Sequence, residues 1–191
     1  MNHVGTKELV TQRLTLRKFT LDDVSAMYRN WASDPEVTKF MTWPAHTDVG
    51  ITRMVIESWV KEYDREDYYQ WAIEFEGEPI GSISVIYTDA KTRKSEIGYC
   101  IGRNWWHRGI TSEALAAVME LLFKEVGVNR IQARHDANNP HSGGVMRKCG
   151  MKYEGTMRQA DWNNQGIVDS CIYGMLRSEY LGKGTEMGSR S

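Results

Sequence analysis

The stretch Trp105–Ala114 reads W-W-H-R-G-I-T-S-E-A and connects a strand-like run, Ser95–Ile101, to a helix-like run. In the second run, apolar residues recur at the spacing of one helix face: Leu115, Met119, Leu122 and Val126. The first backbone N–H groups of such a helix have no partners inside the helix, and the helix dipole adds positive potential there. The sequence therefore predicts a strand, a short basic turn and a helix in direct succession.

The predicted turn has the features of a phosphate-binding site. Gly109 would let the backbone approach a ligand closely, and Arg103, His107 and Arg108 add positive or titratable charge. Together with the helix N-terminus they would cradle a phosphate group. The alternative is an ordinary strand-to-helix turn with a few basic side chains. The chain contains no P-loop motif, and no glycine-rich dinucleotide fingerprint follows this strand.

Two later segments extend the pattern: Asn129–Ser142 reads N-R-I-Q-A-R-H-D-A-N-N-P-H-S, and Met146–Gly155 reads M-R-K-C-G-M-K-Y-E-G. In this order the motifs resemble the GCN5-related N-acetyltransferase (GNAT) superfamily. Within it, the chain is most similar to the RimJ/RimL branch, which acetylates the N-terminal amines of ribosomal proteins. The resemblance runs from Leu9 to Leu176, nearly the whole chain.

In that family the turn is written Q/R-x-x-G-x-G/A, and its backbone amides hold the pyrophosphate of acetyl-coenzyme A. This chain keeps Gly109 but departs at two positions, with Trp106 for Gln/Arg and Thr111 for Gly/Ala. These two departures weaken the match to the motif. They matter less for phosphate binding itself, because backbone N–H groups do most of it. The resemblance thus implies cofactor contacts at His107, Arg108, Gly109, Ile110, Thr111 and Ser112.

The resemblance also implies how the rest of the cofactor is held. The edge of Tyr99, Cys100 and Ile101 would pair with the pantetheine amides as an added strand does. A backbone N–H near Tyr99 or Cys100 would stabilise the oxyanion. Ser142 would donate a hydrogen bond to the thiolate, and Asn139 would orient the cofactor. Alternatively, Asn139 acts only as the cap of a short helix that begins at Pro140.

Two carboxylates are candidates for the base that takes the proton of the amine. Glu96 lies on the central predicted strand, where it would be partly desolvated. Asp161 lies in a predicted loop between the last two strands, where RimL-like proteins place an acidic residue. A structural role for either residue and a water chain to solvent remain alternatives. Asp169 also matches an acidic position of the family, and a structural use is expected for it.

The predicted elements indicate an α/β protein with a mixed sheet. A strand over Val10–Phe19 precedes two helices, the first opened by a capping box at Thr20 and the second capped by Thr47. An antiparallel meander then leads to the turn, and the following helix crosses over to a parallel strand at Ile131–His135. Together with the family resemblance, this order predicts a GNAT-like fold: a twisted, mostly antiparallel sheet, one parallel β-α-β crossover and helices on both faces.

The 191 residues suit one domain over 1–181, with a polar, disordered tail expected over 182–191. The net charge of −1 does not indicate binding to a nucleic acid or to a membrane. Neither the scattered histidines nor the widely spaced cysteines match a metal site. Cytoplasmic location is the default expectation, and either a monomer or a homodimer is compatible with the chain.

The functional hypothesis is an acetyl-coenzyme A-dependent N-acetyltransferase that acts by direct transfer to a primary amine. A protein N-terminal α-amine of ribosomal type is the expected acceptor. The alternatives are a small amine, such as an antibiotic or a polyamine, and a non-catalytic acyl-coenzyme A-binding sensor. The helices after the first strand would form one wall of the acceptor cleft, where Phe40 and Trp43 are candidate contacts.

Overall fold

An eight-stranded mixed sheet forms the centre of the computed structural model, which describes residues 1–186. The strands are β1 (Leu9–Val10), β2 (Leu14–Arg17), β3 (Gln70–Phe75), β4 (Glu78–Asp89), β5 (Lys94–Ile101), β6 (Arg130–Asp136), β7 (Lys152–Asn163) and β8 (Gly166–Leu176). The α-helices are α1 (Val24–Met27), α2 (Pro35–Thr38), α3 (Val49–Glu62), α4 (Ile110–Leu121), α5 (Pro140–Lys148) and α6 (Arg177–Glu186). Both α1 and α4 run on into one π-helical turn, Tyr28–Ala32 and Leu122–Val126.

The strand order is β1-β2-β3-β4-β5-β6-β8-β7. Neighbouring strands are antiparallel except for β5 and β6, which α4 connects as a parallel crossover. The predicted mixed sheet with one parallel crossover is therefore confirmed. No helix within residues 1–186 combines the length and the apolar character that crossing a membrane requires.

Helices cover both faces of the sheet, as the alternation of side chains along β3 shows. Ile73 packs into the core formed with α4, whereas the adjacent Ala72 packs into the core formed with α1 and α3. Ala114 and Leu115 of α4 are fully buried on the first face, and Ile56 of α3 is fully buried on the second. Burial of two separate apolar layers fixes the sheet between its helices.

The N-terminal elements follow the predictions with two corrections. The capping box at Thr20 is present, with Asp23 as its acidic partner. The predicted strand over Val10–Phe19 is interrupted, because the backbone turns at residues 11–13 between β1 and β2. The cap of α3 is Asp48 instead of Thr47: its carboxylate accepts from the backbone N–H groups of Gly50 and Ile51.

The last two strands are longer than their sequence patterns indicate. They form a hairpin that turns at residues 164–165, so Asp161 lies within β7 and not in a loop. A bulge interrupts the hairpin between Met157 and Asp161, and there Asp169 accepts from the backbone N–H of Gln159 at 2.9 Å. The helix α6 reaches Glu186, into the stretch expected to be a disordered tail, and residues 187–191 lie outside the described part of the chain.

Candidate active site

The parallel strands β5 and β6 part in the middle of the sheet. Their pairing ends with Glu96 opposite Gln132, although β5 continues to Ile101 and β6 to Asp136. On its other side β5 stays paired with β4 as far as Ile101. The edge that carries Tyr99, Cys100 and Ile101 thus faces a gap, which an extended ligand can enter as an added strand.

A cleft of about 570 Å³ opens on the α1 and α3 face of this gap. Its floor includes small residues on two neighbouring strands: Ser82 and Ser84 of β4, with Gly98 and Cys100 of β5. The helices cannot fill the space above such a floor, which explains why a cavity remains in the middle of the fold. The cleft contains the predicted residues Glu96, Tyr99, Cys100, Asn139, Ser142 and Asp161 in its lining.

Arg134 brings the two candidate bases together. Its Nε atom lies 2.8 Å from Oε1 of Glu96, and its Nη1 atom lies 3.3 Å from Oδ2 of Asp161. The contact to Oε1 is a close ion pair without an aligned hydrogen bond, and Gln132 donates to Oε2 at 3.2 Å. The sequence analysis missed Arg134. Its position could have identified it, because Arg134 lies two residues beyond Gln132 and therefore on the same face of β6.

The two carboxylates differ in their exposure to solvent. The side chain of Glu96 is 8% exposed and that of Asp161 is 25% exposed. A third carboxylate in the cleft, Asp136, is already occupied, because it accepts from Asn163 at 2.7 Å and from the backbone N–H of Asn138 at 2.8 Å. Of these three carboxylates, Glu96 is therefore the most buried one that accepts no backbone hydrogen bond. It lies at the point where β5 and β6 part.

The turn of the β7–β8 hairpin holds the segment formed by residues 38–43, which we call the roof of the cleft. The side-chain amide of Asn164 donates to the carbonyls of Thr38 and Trp43 at 2.8 and 2.9 Å. Its backbone N–H donates to the carbonyl of Met41 at 3.1 Å. One residue thus holds three points of the segment that places Phe40 and Trp43 in the cleft lining.

The basic turn is built by backbone conformation. Gly109 has φ +74° at the start of α4, and His107 has φ +61°, a conformation that side-chain-bearing residues rarely adopt. A Cβ atom on Gly109 would lie 3.0 Å from Nζ of Lys148 and 3.7 Å from Nη2 of Arg13. Two positive side chains from distant parts of the chain therefore lie at the N-terminus of α4. Arg13 is paired there with Glu113 at 2.7 Å, so Lys148 and the backbone N–H groups are what suit a phosphate group.

Trp106 has a structural use at the position where it departs from the family motif. Its indole N–H donates to the carbonyl of Ile101 at 2.9 Å, so it joins the turn to the end of β5. Among the other predicted turn residues, Ile110 and Ser112 are buried. Those two residues can offer a cofactor their backbone groups but not their side chains.

Ser142 meets Tyr99 across the gap. The Tyr99 hydroxyl donates to the Ser142 carbonyl at 3.0 Å, and the Ser142 hydroxyl lies 3.4 Å from the Tyr99 hydroxyl. Burial raises the pKa of Tyr99 above its ordinary value, so this hydroxyl stays protonated. The side chain of Asn139 makes no capping hydrogen bond to α5, although the residue stands at the cap position. A side-chain cap of α5 is therefore not the role of Asn139.

The remaining residues near the gap explain two features of the sequence. A Cβ atom on Gly143 would lie 2.6 Å from Nε2 of His135, so only glycine fits where α5 crosses this ring. Burial raises the pKa of the Cys100 thiol, and that of the Cys149 thiol to about 11. Both cysteines remain thiols at neutral pH and do not act as nucleophiles.

Comparison with known proteins matches this architecture to one family. A family model described as an acetyltransferase (GNAT) domain matches residues 13–152. The chain belongs to the GNAT acetyltransferase family. An N-acetyltransferase of Bacillus licheniformis, named as uncharacterized p20, is 32% identical over 177 residues, which are 91% of this chain and 98% of that protein. The ribosomal-protein-serine acetyltransferase of Escherichia coli (strain K12) is 27% identical over 125 residues, 65% of this chain and 70% of that protein.

The fold of this GNAT protein matches solved structures over most of its length. A structure of RimL, a ribosomal L7/L12 α-N-protein acetyltransferase in complex with coenzyme A, has a TM-score of 0.81 at 22% identity and covers 91% of this chain and 99% of that one. An acetyltransferase of the same family from Bacillus anthracis has a TM-score of 0.79 at 26% identity, with 91% and 100% covered.

Family membership makes the protein an N-acetyltransferase with acetyl-coenzyme A as its acyl donor. The residues present fit that donor. A left-handed Gly109 with Lys148 and Arg13 beside it suits the pyrophosphate, and the open edge of β5 suits an amide-bearing arm.

Proposed function

We propose that this N-acetyltransferase transfers the acetyl group directly to a primary amine in the cleft, and that the amine is the N-terminal α-amine of a protein. The observation that carries the proposal is the position of Glu96. This carboxylate is almost fully buried, ends the pairing of β5 with β6 and faces a cleft large enough for an acceptor. A carboxylate in that position can hold an ammonium group and take its proton.

On the donor side, the turn from His107 to Ser112 holds the pyrophosphate through backbone N–H groups, assisted by the positive end of α4. The free edge of Tyr99–Ile101 binds the pantetheine amides and points the thioester at the gap. A backbone N–H at Tyr99 or Cys100 then donates to the developing oxyanion. Asn139, whose side chain is not used as a cap, orients the arm beside the gap.

On the acceptor side, Glu96 is the proposed general base, and Asp161 positions the amine through their shared contact with Arg134. The greater burial of Glu96 favours it over Asp161 in this proposal, because a desolvated carboxylate close to the thioester is the stronger candidate for the proton transfer. The amine nitrogen attacks the thioester carbonyl carbon, its proton passes to Glu96, and the carbon–sulfur bond breaks. The Ser142 hydroxyl, which lies 3.4 Å from the Tyr99 hydroxyl, turns to donate to the departing sulfur.

Two observations support a peptide N-terminus as the acceptor. The chain is similar to an Escherichia coli enzyme named for acetylating a ribosomal-protein serine. In addition, Asn164 holds the segment that covers the cleft, and this cover favours a narrow chain end over a side chain on a bulky folded surface. A small polyamine is the second candidate, favoured by the excess of Glu96, Asp136 and Asp161 over the single cation Arg134 in the cleft lining.

The test is release of coenzyme A from acetyl-coenzyme A in the presence of defined amines. One arm offers short peptides with free N-termini and their N-terminally blocked counterparts, which keep only a lysine amine. The other arm offers spermidine and an aminoglycoside. We expect turnover with free N-termini only. Turnover with spermidine alone would replace the peptide acceptor by the polyamine, and no turnover with any amine would contradict the proposal.

A further inference from the structure

Arg134 brings a positive charge into a cleft that has to receive a positively charged acceptor. It is the one lysine or arginine in the cleft lining, as far as residues 1–186 show. The lining also contains three carboxylates and two histidines: Glu96, Asp136, Asp161, His46 and His135. α-Amines and lysine amines are both mainly ammonium ions at neutral pH. The proposed proton transfer to Glu96 does not itself need a cation beside the amine.

The guanidinium of Arg134 lies between the two carboxylates at the gap. Its Nε atom is 2.8 Å from Oε1 of Glu96 on β5, and its Nη1 atom is 3.3 Å from Oδ2 of Asp161 on β7. Two carboxylates that share one cation would attract a second ammonium group if that cation were absent. Arg134 occupies the place between them and repels a further cation, which disfavours diamines and polyamines as acceptors.

The same guanidinium can bind an uncharged part of an acceptor. A guanidinium has five N–H donors, and the side chain of Arg134 is 40% exposed, so a ligand in the cleft can reach it. At a peptide N-terminus, the carbonyl oxygen of the first residue is only three bonds from the amine nitrogen. With the amine at Glu96, that oxygen comes close to the guanidinium held at the same carboxylate. Diamines and lysine side chains have no carbonyl at this distance from the amine.

A second arginine of β6 shows how the contact of Arg134 differs from an ordinary ion pair. Nη1 of Arg130 donates an aligned hydrogen bond to Glu154 at 2.7 Å, and Arg130 lies outside the cleft lining. The contact of Arg134 with Oε1 of Glu96 is close, but Oε1 receives no aligned hydrogen bond within residues 1–186. Donor and acceptor directions therefore remain available at this pair for the amine and the carbonyl of an acceptor.

We propose that Arg134 determines the class of acceptor: it admits an amine with a carbonyl beside it, as at a peptide N-terminus, and rejects an amine that carries a second ammonium group. This inference rests on the proposed transfer to an N-terminal amine. The attraction acts on one class of acceptor and the repulsion on the other, so the two effects add in the ratio of kcat/KM values.

The experiment compares two small acceptors of similar length, L-alaninamide and 1,3-diaminopropane. The first has a carbonyl next to its amine, and the second has another ammonium group and no carbonyl. A peptide with a free N-terminus and spermidine repeat the comparison with larger acceptors. We expect kcat/KM of the wild-type enzyme, measured by coenzyme A release at one fixed pH, to favour the carbonyl-bearing acceptor by at least about tenfold.

Variants of Arg134 separate its charge from its geometry. In Arg134→Met the preference should fall by at least about tenfold, and kcat/KM for the diamine should rise, which general damage to the cleft cannot cause. Arg134→Lys keeps the charge but not the planar fork, so it should still reject the diamine while the KM for L-alaninamide rises. Arg130→Met is the matched control on the same strand and should keep the wild-type ratio.

The outcomes separate this inference from the function on which it rests. A wild-type ratio that persists in folded Arg134→Met would overturn the role of Arg134 and leave the N-terminal acetyltransferase standing. A ratio that falls with no rise for the diamine would overturn the repulsion of cations. Wild-type turnover that favours the diamine would overturn both the filter and the peptide acceptor. Acetylation of none of the four acceptors would overturn the proposed function itself.

Discussion

The donor side and the acceptor side of the gap are built in different ways. The proposed donor side lies mainly on one continuous segment, from β5 through the turn to α4, which presents backbone groups, with Asn139 and Lys148 added from α5 and its cap. The acceptor side is assembled from side chains of β5, β6 and β7 and is roofed by a loop that Asn164 holds. A site made of backbone depends on local conformation, whereas a site made of side chains depends on which strands become neighbours.

The largest effect is expected from Gly109→Glu on the donor side. The new carboxylate would stand against the pyrophosphate and next to Lys148, whose charge it would neutralise. We expect the Kd for acetyl-coenzyme A, measured by calorimetry, to rise by at least about 100-fold. Gly127→Glu is the matched control, because Gly127 has the same φ of +74° but nothing within 4 Å of a new Cβ.

Both glycine variants should lose similar stability, about 1 kcal/mol, because each forces a side-chain-bearing residue into the left-handed region. Only the variant at Gly109 should lose cofactor affinity. Unchanged affinity in Gly109→Glu would remove the turn from the donor site, and equal losses of affinity in both variants would reduce the effect to backbone strain.

The next effect distinguishes the two carboxylates of the acceptor side. Glu96→Gln keeps the size of the side chain but removes the base, and kcat should fall about 100-fold or more. Asp161→Asn should lower kcat by less than about tenfold and act mainly on the KM of the amine. Steady-state kinetics with one peptide acceptor measures both variants, and the Kd for acetyl-coenzyme A should stay at the wild-type value. The reverse order of effects would make Asp161 the base.

A smaller effect is expected where the two sides meet, at Ser142. Ser142→Ala removes the hydroxyl that we propose as the donor to the leaving sulfur, so kcat should fall about tenfold while the affinity for acetyl-coenzyme A changes little. Calorimetry and turnover on the same preparation separate the two quantities. Tyr99→Phe, which removes the neighbouring hydroxyl, is the comparison variant. Full activity in Ser142→Ala would exclude this residue from the mechanism.

The smallest effect concerns the stability of the acceptor wall. Burial lowers the pKa of His46 below its ordinary value of 6.5, against a weaker opposing effect of Asp48. The folded protein therefore holds His46 neutral at a pH where the unfolded chain binds a proton. Its contribution to stability is complete above pH 6.5 and is lost as the pH falls toward the lowered pKa.

Urea unfolding between pH 7.5 and 5 measures this contribution of His46. The free energy of unfolding should decrease as the pH falls, and the decrease should be smaller in His46→Asn. The asparagine amide can keep the contact with Thr52 but does not titrate. An identical pH dependence in the variant would show that His46 does not titrate differently in the folded and unfolded states.

What could be predicted from the sequence differs in the same way between the donor side and the acceptor side. The order of strand, basic turn and helix and the parallel crossover to β6 depend on local motifs, so they could be predicted, whereas the left-handed φ of Gly109 was found only in the structure. The cap at Asp48 and the strand position of Asp161 were missed, because Thr47 and Asp48 are both good caps and a long hairpin with a bulge lacks regular alternation.

The sequence by itself determined the alternation of elements, the basic turn at the head of α4 and the family to which those motifs are similar, because each depends on residues close together in the chain. The tertiary structure decided that Arg134 joins Glu96 to Asp161 and that Asn164 holds the roof of the cleft. It also decided that the indole N–H of Trp31 and Nε2 of His135, both in the cleft lining, are buried without a hydrogen-bond partner within residues 1–186. These contacts join residues on separate elements, and their formation depends on the order and register of the strands, which the chain encodes only through its complete core.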